Sequence, residues 1–100
     1  MIKGGWSPAD PTNKNVQDSI KFALTESKRP YTSYSVFSAS QQVVAGINYY
    51  FILDLTNEQS CQPYHFRVWD RFGKLSLTFN EPYTERSCQG IELNSFTFNF

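Results

Sequence analysis

The sequence predicts an α+β fold, one amphipathic helix packed on an antiparallel sheet of four or five strands. Two observations carry that reading. Residues 13–26 repeat their apolar positions at helical spacing, and after Pro30 the apolar period switches to two for the rest of the chain. The connections between the alternating stretches are too short for the crossovers that parallel strands need, so the strands pair as hairpins. A chain of 100 residues, 40% hydrophobic and 17% aromatic, supplies one core and not two. The helix must therefore bury its stripe on the apolar face of the sheet, and residues 1–100 read as one domain.

Met1–Thr12 holds Gly4, Gly5, Pro8 and Pro11, the composition of an extended arm. Thr12 or Asn13 caps the helix, and Val16, Ile20, Ala23 and Leu24 form its apolar stripe, with Phe22 to one side. Pro30 disfavours helical geometry at Arg29 and closes the helix within Ser27–Pro30. Strands then fill residues 34–100. Tyr34, Val36 and Ser38 alternate with Ser35, Phe37 and Ala39, and Tyr49, Phe51, Leu53 and Leu55 share one face. Tyr64, Phe66 and Val68 oppose His65, Arg67 and Trp69, and Leu75, Leu77 and Phe79 oppose Ser76, Thr78 and Asn80. The tail Ile91–Phe100 alternates again at Phe96, Phe98 and Phe100.

Composition excludes several functions. Nine basic residues offset nine acidic ones, so no net field gathers nucleic acid or an anionic membrane. The longest apolar-leaning run, Ile47–Leu55, contains Asn48 and Asp54 and is too short to cross a bilayer. No cofactor or metal is expected, because His65 is the one histidine and no Cys-x-x-Cys spacing exists. An enzyme needs a nucleophile, a base and an orienting group. His65 alternates outward as a sheet-surface residue, Cys61 has no basic cluster to lower its pKa, and Asp54 reads as a solvated edge residue. The enzyme class is rejected.

The unusual segment is Gln42-Val43-Val44-Ala45-Gly46. Apolar residues stand where a hairpin should turn, Asn-Gly and its relatives are missing, and only Gly46 supplies freedom to reverse. The segment is either a continuous strand or a hydrophobic tip meant for another surface, and backbone physics alone favours the strand.

With Ile47-Asn48-Tyr49-Tyr50 following it, this segment resembles the Gln-x-Val-x-Gly signature of the cystatins. The opening Met1-Ile2-Lys3-Gly4-Gly5 is similar to the glycine-bearing trunk of stefins, the intracellular branch, and the likeness in spacing covers the whole chain. The resemblance implies a reversible, tight-binding inhibitor of papain-like cysteine proteases of the cathepsin type, which occludes the active site as a wedge. It implies that Gly4 and Gly5 lie in the non-primed subsites, with Ile2 and Lys3 reaching toward the specificity pockets. Gln42, Val43, Val44, Ala45 and Gly46 enter the cleft, and a second loop docks on the primed side. The chain departs from the family here. The family's second loop carries proline, whereas Trp69-Asp70-Arg71-Phe72-Gly73-Lys74 is shorter and has none. Trp69, Phe72 and Gly73 are the candidate second-loop residues, with Phe72 the apolar contact. An ordinary hairpin whose Trp69 covers the sheet, or a second loop at Pro82-Tyr83, stays open. The missing proline also leaves open a non-inhibitory binding module of the same fold.

Cys61 and Cys88 are the two cysteines. Small secreted scaffolds carry more, and stefins do not depend on disulfides, so two reduced thiols are expected, with a Cys61–Cys88 bridge the open alternative if antiparallel neighbours bring the two within reach. No basic segment followed by an apolar one opens the chain, and no Asn-x-Ser/Thr acceptor occurs, so the expected location is cytoplasmic. A mature form freed of a leader would read the same. A monomer is expected, with a domain-swapped dimer as an alternative state.

Overall fold

The computed structural model describes residues 5–58 and 60–88. Its elements are β1 (Trp6–Pro8), α1 (Lys14–Ser27), β2 (Ser33–Val44), β3 (Gly46–Asn57), β4 (Ser60–Arg71) and β5 (Lys74–Pro82). The five strands form one antiparallel sheet in the order β1-β2-β3-β4-β5. Part of the arm is therefore a strand: Trp6, Ser7 and Pro8 pair with Gln42, Gln41 and Ser40. Met1–Gly4 and the expected tail strand Ile91–Phe100 lie outside the described residues.

Asn13 is the helix cap. Its side-chain oxygen accepts from the N–H groups of Asn15 and Val16 at 2.8 and 3.4 Å. Lys28, at φ 57°, ends the helix in the left-handed region. Arg29 then ties the connection to β5, donating to the Asn80 side chain at 3.1 Å and its carbonyl at 3.3 Å, with its guanidinium 4.4 Å from the Tyr64 ring centroid. The stripe Val16, Ile20, Ala23 and Leu24 is buried against Tyr49, Phe51, Leu53 and Leu55 of β3 and Phe66 and Val68 of β4. Each large side chain so buried contributes about 1.5–3 kcal/mol.

Two bulges correct the strand faces. In β2 the register shifts between Val36 and Ser38, so Val36 and Ala39 both lean on the core while Ser38 opposes Ile52 on the outer face. Between β4 and β5, Leu77 opposes Val68 but Phe79 opposes Arg67, which leaves Thr78 as the extra residue. Phe79 therefore stands on the outer face, with its ring 4.7 Å from that of His65, and not beside Leu75 and Leu77.

The chain after β5 corrects two further expectations. Residues 83–88 cross the outer face at the end of the sheet where β2 begins, held first by the Tyr83 N–H on the Pro63 carbonyl at 2.8 Å. Asp54 is no solvated edge residue: it is 3% exposed and paired with Arg86, whose guanidinium also lies 3.9 Å from the Phe37 ring centroid. The cysteines are not free thiols either. Cys61 and Cys88 form a disulfide, with their Cα atoms 6.1 Å apart and Cys88 buried.

Candidate functional site

The opposite end of the sheet carries three tips in a row. Because β1 runs antiparallel to β2, the chain enters at Trp6 beside Gln42, next to the β2–β3 turn. That turn is a true hairpin: Val44 opposes Gly46 across Ala45, so the continuous strand favoured by backbone physics does not form. Gly46 makes the reversal at φ +97°. It also lets the two hairpins touch, since a Cβ there would stand 2.3 Å from the Asp70 carbonyl oxygen of β4. Val43 and Val44 are 49% and 41% exposed, two β-branched residues presented to solvent at a turn.

Beside it, β4 and β5 close over Phe72 and Gly73, both at positive φ (54° and 93°), the type I′ geometry. The Asp70 carboxylate accepts the Gly73 N–H at 2.8 Å and fixes the turn. Phe72 is 84% exposed. Trp69 does more than cover the sheet, because its indole N–H donates to the Ala45 carbonyl at 3.1 Å and joins the second tip to the first. The Arg71 guanidinium stacks 5.4 Å from the same indole. Pro82 and Tyr83 stand by Tyr64 and Pro63, away from this edge, so they are not part of it. At about 4.8 Å per strand the row of tips spans roughly 20 Å.

The structure thus brings Gly5, Gln42, Val43, Val44, Ala45, Gly46, Trp69, Phe72 and Gly73 to one edge of the sheet. Gly4 lies outside the described residues. Missed from the sequence were Trp6, Tyr50 and Arg67, whose side chains meet on the outer face behind the arm. The one local signal was an indole directly after the glycine pair. His65 also lies on this face, hydrogen-bonded through Nδ1 to the Tyr50 hydroxyl at 2.7 Å. Its pKa falls below the ordinary 6.5, chiefly through partial burial and further through Arg67, against Glu81 and Glu85, which act to raise it. No group of three or more metal-ligating side chains occurs among the described residues.

A cystatin-domain family model matches residues 4–89. The chain belongs to the cystatin family. Cystatins are inhibitors of cysteine proteases and not enzymes. A cystatin from Aedes aegypti is 36% identical over 87 residues, covering 80% of this chain and 91% of that protein. Mouse Cystatin-D is 44% identical over 65 residues, covering 55% of this chain and 41% of its own. Rice cysteine proteinase inhibitor 1 is 32% identical over 75 residues, covering 70% and 54%. Among solved structures, the salivary cystatin of the soft tick Ornithodoros moubata superposes with a TM-score of 0.59 at 17% identity, over 83% of this chain and all of that one. The cystatin fold, one helix on a five-stranded antiparallel sheet, is the architecture described above.

Proposed function

We propose that this cystatin is a reversible, tight-binding inhibitor of papain-like cysteine proteases of the cathepsin type, and that the three-tipped edge is the wedge that fills their active-site cleft. The observation that carries this reading is the pairing of two apolar tips, Val43–Ala45 and Phe72, locked side by side by the Trp69–Ala45 hydrogen bond. Apolar tips lose little on desolvation in a cleft, and tips fixed before binding give up little conformational entropy. Gly4 and Gly5 take the non-primed side, where bare backbone passes close to another surface. Gln42–Gly46 enters near the catalytic cysteine, and Trp69, Phe72 and Gly73 take the primed side in place of the family's proline-bearing loop. No peptide bond is offered in cleavable geometry, so inhibition is by occlusion, and the active form is the monomer.

Within the family, the glycine-bearing trunk favours the stefin branch and the Cys61–Cys88 bridge favours a departure from it. We weight the bridge: a disulfide persists in oxidising compartments, so the working location is outside the reducing cytoplasm. Titration of papain tests the function. Tight, reversible inhibition is expected, with serine and metalloproteases unaffected. No inhibition of papain at micromolar protein overturns the reading and leaves a non-inhibitory binding module of the same fold.

A further inference from the structure

β1 is a weak anchor for the arm that it begins. It is three residues long and lies at the sheet's edge, and Pro8 brings no N–H to its ladder. Its far end is secured, because the Ala9 N–H donates to the Ala39 carbonyl at 2.9 Å and the Ala9 side chain is buried in the core. The near end, next to Gly5, is held by the pairing of Trp6 with Gln42 and by the Trp6 ring. That ring reaches across β2 to meet Tyr50 of β3 edge to face, with centroids 6.3 Å apart and planes at 70°. From β4, the Arg67 guanidinium lies 5.6 Å from the Trp6 ring and 5.8 Å from the Tyr50 ring. Arg67 forms no ion pair among the described residues, so its charge is spent on the two ring faces.

We propose that Arg67 and Tyr50 clamp the Trp6 ring and are positioning residues for inhibition: they set the direction in which the chain leaves the sheet at Gly5 toward a bound protease. This rests on the inhibitor reading above. A strand with two firm ends aims the arm, whereas a strand pinned only at Ala9 would let it sweep. Sweeping costs affinity as lost preorganisation, which appears in dissociation more than in association.

Two measurements test it, one of them independent of any protease. In a Trp69→Phe background Trp6 is the sole indole, and Arg67→Ala is expected roughly to double its quenching by acrylamide, since Trp6, 43% exposed with Arg67 in place, loses the cover of the guanidinium. Against papain, Arg67→Ala should speed dissociation roughly five- to ten-fold and leave association within about two-fold. The melting temperature should stay within about 2 °C because Arg67 is exposed. Arg67→Lys, which keeps the cation, should recover part of the loss. In a chain lacking residues 1–5 the same Arg67→Ala change should alter dissociation little, because no arm remains to be aimed. Equal weakening in both backgrounds would assign Arg67 to direct protease contact and overturn the positioning role. Unchanged quenching would overturn the clamp itself. If the parent chain does not inhibit papain, the inhibitor reading falls and the positioning role with it, while quenching still decides whether the ring is clamped.

Discussion

Phe72 occupies a backbone position that energetics would give to asparagine. Its φ of 54° lies in the left-handed region, where a bulky side chain is an outlier, and the type I′ turn it shares with Gly73 prefers Asn-Gly. Burial does not offset the strain, since the ring is 84% exposed. A residue that strains the fold and hides no apolar surface fits the contact role proposed for it. Phe72→Asn is therefore expected to stabilise the chain by about 1 kcal/mol in urea unfolding. The same change should weaken papain inhibition roughly ten-fold or more, as loss of an apolar anchor does. A stabilised variant that inhibits as well as the parent would remove Phe72 from the contact. Gly46 is the complementary case, a residue whose missing side chain is the point. Any Cβ there strikes the Asp70 carbonyl, so the Ala45 carbonyl reaches the Trp69 indole only because residue 46 is glycine.

Elements whose apolar period runs unbroken are legible in the sequence. The α1 stripe, and the inward faces of β3 at Tyr49, Phe51, Leu53 and Leu55 and of β4 at Phe66 and Val68, fill the core as their spacing requires. Illegible features depend on pairing between distant segments. The bulges at Phe37 and Thr78 arise from register against a neighbouring strand, and nothing local marks them. Asp54 reads as a solvated acid because its partner, Arg86, is 32 residues away. At the candidate site the signature segment is visible in the sequence, but the join between the tips is not, because it depends on an indole from another hairpin. The first hairpin is ambiguous for a physical reason that survives in the structure: among Val43–Gly46 only Gly46 departs from negative φ. Straightening that one residue would fuse β2 and β3 into a single strand over residues 33–57. The helix and its strand would then exchange between two copies, with the first tip lost inside the fused strand. Holding the protein near its unfolding midpoint should yield a dimer on size-exclusion chromatography that no longer inhibits papain. Heated samples that stay monomeric and active would exclude the exchange.

On the wedge reading proposed above, the two ends of the sheet have separate tasks, and the disulfide lies at the end away from the tips. At the tip end three edges lie open. At the other, residues 83–88 fold back over the sheet, Arg86 pairs with the buried Asp54, and Cys88 closes on Cys61. The bridge joins residues 27 apart in sequence, a loop that contains the β4–β5 hairpin. By the chain-entropy relation such a loop restricts the unfolded state by about 3.5 kcal/mol, less whatever structure the reduced chain retains. Against a total stability on the order of 5–15 kcal/mol that is a large share. For a domain of this size it corresponds to at least about 10 °C in melting temperature. Reductant, or the paired change Cys61→Ser with Cys88→Ser, should produce that drop. Inhibition of papain at 25 °C should hold within about two-fold while the chain remains folded, because Cys61 lies opposite Thr56, at the other end of the β3–β4 ladder from the tips. Intact mass with and without reductant reads the bond, melting reads its contribution, and papain titration reads the separation of the two ends. A mass showing two free thiols in native material, or a melting point indifferent to reductant, would remove the bridge and with it the argument for an oxidising compartment. Inhibition that collapses on reduction while the fold survives would show instead that the far end sets the geometry of the wedge.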